Sequence, residues 1–101
     1  MIIVKSKNGV PLRLTDERWL HITEEHSEMA GYYYEVLEVV CEPEGIYGGN
    51  SGELIASREI KAGKHLVVVY KELNKDDGFI ITAFLTRKIK QLERRVKLWP
   101  R

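Results

Sequence analysis

His65-Leu66-Val67-Val68-Val69-Tyr70-Lys71-Glu72-Leu73, then Asn74-Lys75-Asp76-Asp77-Gly78, then Phe79-Ile80-Ile81-Thr82-Ala83-Phe84-Leu85-Thr86: this stretch decides the fold. Both arms are rich in β-branched and aromatic residues, and Asp77-Gly78 is the tight element of the turn between them, so two antiparallel strands are expected. Upstream, Glu53 to Ile60 has the same character, and Ala62-Gly63-Lys64 is a short connection to His65. Three strands joined by short turns predict an antiparallel meander. Strict alternation sets Phe79, Ile81, Ala83 and Leu85 on one face of the last strand, with Ile80, Thr82, Phe84 and Thr86 on the other. On the first strand, Leu54, Ala56, Arg58 and Ile60 share a face, so Arg58 stands among apolar neighbours.

Working back toward the N-terminus, Ile2 to Ser6 and Val10 to Leu14 flank Lys7-Asn8-Gly9. Asn-Gly between two apolar runs is a hairpin signal, and Pro11 assigns the second arm to an edge. Thr15 reads as an N-cap with Asp16 and Glu17 in the first turn, opening a helix to about Glu25 whose face carries Trp19, Ile22 and His26. Ser27 is a second candidate cap. Tyr33, Val36, Leu37 and Val40 form the stripe of a second helix, stopped by Pro43 and Gly45. Gly48 to Gly52 reads as a turn-rich loop. In the tail from Arg87 to Arg101, Ile89, Leu92, Val96 and Trp99 fall on one helical stripe amid seven bases and one acid, which predicts a basic amphipathic helix packed on the domain itself. The expected fold is therefore α+β, one domain over residues 1–101. It has an antiparallel sheet (an N-terminal hairpin plus the meander) packed by two N-terminal helices, with a basic C-terminal helix.

At 101 residues and 44% hydrophobic, the chain has room for one core and is not a disordered tail. No apolar run approaches the roughly 20 residues of a membrane span. The opening Met1-Ile2-Ile3-Val4-Lys5 lacks a secretory apolar stretch, and Cys41 is the single cysteine. The expected setting is a reducing cytoplasm, with Cys41 a buried structural residue. The net charge of +1 hides a division: residues 1–53 hold ten acids against four bases, and residues 54–101 twelve bases against five acids. Either the two halves neutralise each other in the fold, or the C-terminal half meets an anionic ligand or an acidic protein partner.

Few constellations carry chemistry. His21 and His26 are spaced i, i+5 rather than i, i+4, and Cys41 and the distant His65 complete no ligand set, so no metal and no cofactor are expected. The glycine loop lacks the Lys-Ser/Thr of a phosphate-binding loop. His26, at a helix C-terminus among Glu24, Glu25 and Glu28, is a candidate general acid or base; the plainer reading is a C-cap histidine. Arg58 is a candidate phosphate clamp, or an arginine reaching the sheet's rim. Thr82 and Thr86, beside Phe84, present two hydroxyls and a ring to one face, although threonine is also simply common in strands.

These readings converge on a resemblance. Arg13-Leu14-Thr15-Asp16-Glu17-Arg18-Trp19-Leu20-His21-Ile22-Thr23-Glu24-Glu25-His26-Ser27-Glu28 resembles the opening motif R-h-T-x-E-R-x-x-H-I-x-x-x-H-P-E of compact phage-type nuclease-like domains in the barnase–EndoU–colicin–RelE superfamily. Glu42-Pro43-Glu44-Gly45-Ile46 and the strands Lys64 to Tyr70 and Gly78 to Thr86 extend it over about residues 12–90. Ser27 departs from the family's proline, which alters the inter-helix turn. The resemblance implies metal-independent, toxin-like cleavage of RNA by 2′-hydroxyl transesterification. By position it implies His26 as acid/base and Thr82 as the last-strand threonine, with Arg58 on the strand that often bears a base. Lys64, Lys71, Thr86 and Arg87 would hold the RNA. The other reading is a binding module of the same fold, inactive in cleavage, that contacts RNA, or a protein partner such as an antitoxin.

Overall fold

The computed structural model describes residues 1–101. The chain runs β1 (Ile2–Lys5), β2 (Pro11–Leu14), α1 (Asp16–Glu25), a 3-10 turn (Ser27–Gly31), α2 (Tyr33–Cys41), β3 (Gly45–Gly48), β4 (Leu54–Lys61), β5 (Lys64–Asn74) and β6 (Asp77–Thr86). It ends with a single helical turn, α3 (Ile89–Leu92), and a short strand, β7 (Lys97–Trp99). All seven strands form one sheet in the order β1-β2-β6-β5-β4-β3-β7. No helix is long and apolar enough to cross a membrane.

Some local signals act as their chemistry predicts and others do not: β2, for which Pro11 predicts an edge position, lies between β1 and β6, and the cap position before the 3-10 turn is His26, not Ser27. Thr15 caps α1 by accepting a hydrogen bond from the Arg18 amide at 3.0 Å, and the His26 amide closes the helix on the Ile22 carbonyl. The β1–β2 turn is pinned from across the sheet. The Ser6 hydroxyl donates to Glu72 Oε2 at 2.5 Å, and Asn8 Nδ2 donates to Glu72 Oε1 at 3.1 Å.

The expectation of an antiparallel sheet is overturned: the sheet is mixed. The hairpin joins the meander through a parallel contact of β2 with β6, Leu12 opposite Gly78 and Arg13 opposite Phe79; the other five strand pairings are antiparallel. Direction at that junction is set by how α1 and α2 return the chain across the sheet, a long-range outcome that no turn residue encodes. A guanidinium–carboxylate fork closes it, Arg13 Nε and Nη2 donating to Asp77 at 3.0 and 3.3 Å.

The expected C-terminal helix is also corrected. Only α3 is helical, and the chain then pairs with β3, Ile46 opposite Trp99 and Tyr47 opposite Lys97. A short isolated helix is marginal, whereas the β3 edge offers strand hydrogen bonds, including the Gly48 amide to the Val96 carbonyl at 2.9 Å. The stripe does not survive as one face: Leu92 packs on the sheet, while Val96 is exposed. Lys7 Nζ lies 4.7 Å from the Trp99 ring centroid. That cation–π contact brings the turn after β1 against β7.

The apolar run in β5 is buried on both sides. Leu66, Val68 and Tyr70 point to the helices and pack with Ile22, Met29 and Val36. Val67 and Val69 point to the opposite, open face, where they join Tyr47, Ile55 and Phe84. Strict alternation fails in β6, because a bulge falls between the pairs Val69–Thr82 and Tyr70–Ile80. Ile80 thus turns to the helical core with Ala83, while Thr82 stays on the open face. Cys41 is exposed rather than buried: it follows Val40 by one helical position, rotated off the stripe that faces the core.

Tyr70 has no exposed surface, and its hydroxyl has no hydrogen-bond partner in the protein. Burial, reinforced by Glu72, pushes the phenol well above its usual 10. The unfolded phenol ionises near pH 10 and the folded one resists, so this contribution to stability is intact below pH 10 and declines as pH rises beyond it. Tyr70→Phe removes an unpaired hydroxyl. It is expected to match the parent at pH 7 or exceed it by about 1 kcal/mol, and to lose less stability at pH 10.5. Urea unfolding of both proteins at the two pH values checks this; a variant weaker by more than about 1 kcal/mol at pH 7 means that the hydroxyl is satisfied.

Candidate functional site

The two faces of the sheet differ in chemistry. One is sealed by the helices and carries their acids. The other is open, and its middle holds a groove of about 310 Å³. Val67, Val69, Ile55 and Phe84 form its apolar floor, Leu92 of α3 walls one side, and Thr86, Lys88, Gln91 and Arg95 stand on the rim. The groove exists because the tail arches over the face as a single turn and then leaves for β3.

Arg95 is the most constrained cation there. Its Nη1 donates to Asn50 Oδ1 at 2.9 Å and to the Gly48 carbonyl at 3.4 Å. The glycine-rich loop holding it is itself organised by Glu53, whose Oε1 accepts from the Ser51 amide at 2.8 Å while its carbonyl accepts from the Gly49 amide. Any side chain at Gly49 would collide with that carboxylate. Arg95 is therefore held in place with no carboxylate beside it, the preorganisation that anion recognition needs.

Close carboxylate partners are missing from the bases of the C-terminal half, residues 54–101, as well. None of its twelve Lys and Arg side chains has a carboxylate oxygen within 4.0 Å; the four ion pairs of the chain lie elsewhere.

The predicted site residues separate into three places. Thr86, Lys64 and Arg87 lie together at the end of β6, in a hollow also lined by Leu85 of the helical side, and His26 reaches the same edge through Phe84 and Glu28. The His26 ring stacks at a tilt on Phe84, centroids 5.8 Å apart, where the edge of β6 runs past the end of β2. Glu28 sits 3.8 Å from His26 Nδ1 and shares a shallow hollow with Lys64, Thr86 and Arg87. Thr86 Oγ1 accepts from the Lys88 amide at 3.0 Å, which leaves its own proton free to donate. Thr82 lies on the same face beyond Phe84, opposite Val69, and Lys71 lies farther along, opposite Phe79. Arg58 is elsewhere: with Leu54, Ala56 and Ile60 it points to the helical side, donating to the Glu42 carbonyl at 3.2 Å beside Glu38 and Cys41. The sheet separates Arg58 from Thr82.

Two residues of this surface were not singled out from sequence. Arg95 was one base among seven in the tail, and only the loop that grips it sets it apart. His65 looked isolated, yet it pairs with Thr86 across β5 and β6, and its Nδ1 is buried without a hydrogen-bond partner. No three metal-ligating side chains converge in the structure. Comparison with protein-family models, with curated proteins and with solved structures finds no match.

Proposed function

We propose that the open face binds single-stranded RNA and that His26 cleaves it without a metal, by attack of a 2′-hydroxyl on the adjacent phosphorus. The observation that carries the reading is His26 stacked on Phe84, at the edge of a groove rimmed by cations that have no carboxylate partner. Imidazole suits proton transfer near neutral pH, an exposed ring and apolar floor suit unstacked bases, and unpaired bases suit a phosphate chain. In this scheme His26 takes the 2′-hydroxyl proton and O2′ bonds to phosphorus. The bond to the 5′-oxygen breaks, and that oxygen is protonated from solvent. Glu28 orients the imidazole. Thr86 donates to a phosphoryl oxygen whose charge Lys64 and Arg87 offset, while Thr82 and Lys71 hold the strand farther along. Arg58 has no part in this version.

The test is cleavage of a mixed RNA by the purified protein in EDTA, with product ends identified. New 2′,3′-cyclic phosphate ends support the reading. RNA that is bound and released intact would make the domain a binding module. Binding itself is expected to be salt-sensitive: with about five phosphates neutralised, the slope of log K against log[salt] is about −3.5 for a single strand. A slope near zero in a fluorescence-anisotropy titration would remove the electrostatic part of the proposal.

A further inference from the structure

We infer that the groove under α3 is a single-nucleotide subsite, in which the floor of Val67, Val69 and Phe84 takes one base, Arg95 takes its phosphate, and Gln91 reads the base edge. This rests on the reading of the open face as the RNA-binding surface and adds what that surface selects. The groove volume, about 310 Å³, is at the small end of ligand pockets and suits one ring system rather than a duplex. Its chemistry is divided as a nucleotide's is. The floor is apolar and includes an aromatic ring on which a base can stack. The rim is cationic, and Arg95 is already fixed through Asn50 and Gly48, so little side-chain freedom is lost when a phosphate arrives. Gln91 is an exposed amide on the rim, able to donate and accept at once toward a base edge. An acidic peptide would meet the same cations, but a rim-only ligand leaves the apolar floor unused.

The experiment uses the intact protein in EDTA, titrated by calorimetry with each of the four nucleoside monophosphates, with inorganic phosphate and with an unphosphorylated nucleoside. Monophosphates are expected to bind at least about ten-fold more tightly than phosphate alone, since base stacking adds to the anion contact. Arg95→Ala is expected to weaken the monophosphates about ten-fold or more and to leave the nucleoside unchanged. Gln91→Ala is expected to narrow the spread among the four bases without altering the dependence on phosphate. Inorganic phosphate binding as well as the monophosphates would overturn the subsite. So would monophosphates failing to bind while a longer RNA binds, and in that case RNA recognition by the open face still stands. The converse, monophosphates bound through Arg95 by a protein that never cleaves RNA, keeps the subsite and removes the catalytic proposal.

Discussion

His26→Ala is expected to lower RNA cleavage by about 10²- to 10⁴-fold, the range that a positioned acid or base contributes, while binding of the same RNA changes less than about two-fold. The separation is physical. His26 caps α1 through its backbone amide, which donates to the Ile22 carbonyl at 2.8 Å, and its side chain makes no capping hydrogen bond. Truncating the ring therefore leaves the helix end intact, and the cations that hold the phosphates are untouched. Glu28→Gln is a milder version, because it keeps the imidazole and removes only the carboxylate charge 3.8 Å from its Nδ1. Arg58→Ala is the informative control. On the sequence alone, Arg58 is a candidate phosphate clamp, and in that role its loss should be as damaging as that of His26. On the structure it stands behind the sheet, and cleavage is expected to stay within about two-fold of the parent. A single-turnover assay of the three variants, beside circular dichroism to confirm folding, decides the matter. If Arg58→Ala is as inactive as His26→Ala, the catalytic centre is not on the open face.

What the sequence showed and what it hid divide along the range of the interactions. Thr15, the Asn8-Gly9 turn and the β-rich arms of β5 and β6 act through neighbours a few residues away, and the elements they predict are present, although the turn between the arms falls at Lys75-Asp76 while Asp77 and Gly78 open β6 as paired residues. The tail carries an equally clear helical stripe, but propensity lost there to the open edge of β3, a four-residue strand bounded by two glycines that has little β signature of its own. The β6 bulge is a second case: alternation is the right rule, and one extra residue changes its phase, so that Ile80 exchanges faces. The site followed the same division. His26 was legible because its helix end is local. The placement of Arg58 depended on which face of the sheet the helices cover, and the fixing of Arg95 on a loop more than forty residues away. Charge segregation was visible in the composition; that no Lys or Arg of the C-terminal half has a carboxylate oxygen within 4.0 Å depends on the fold.

Gly78→Ala is expected to be the most destabilising small substitution in the chain, costing about 3 kcal/mol or more. Gly78 occupies the parallel junction, opposite Leu12 on one side and Glu72 on the other. A Cβ there would lie 2.5 Å from the Lys71 carbonyl oxygen and 2.7 Å from Leu12 Cδ2. The first of these is backbone in the central strand β5, and the second belongs to a side chain with no exposed surface, so neither can swing aside. Relief requires β6 to withdraw from β5 or from β2. The second course frees the β1–β2 hairpin, along with the Arg13–Asp77 fork and the burial of Leu12 and Leu14. Against a total stability of about 5–15 kcal/mol for a domain of this kind, and with about 4–8 °C lost per kcal/mol at this size, the midpoint of thermal unfolding should fall by about 12 °C or more. Gly31→Ala is the matched comparison: the same atoms are added where nothing lies within 4 Å and the backbone is not left-handed, and the expected change is nil or a gain of a few tenths of a kcal/mol. Thermal and urea unfolding of the two variants side by side tests the junction itself. If Gly78→Ala unfolds within about 1 kcal/mol of Gly31→Ala, β2 and β6 do not approach as closely as the structure has them, and the mixed sheet would have to be redrawn at that contact.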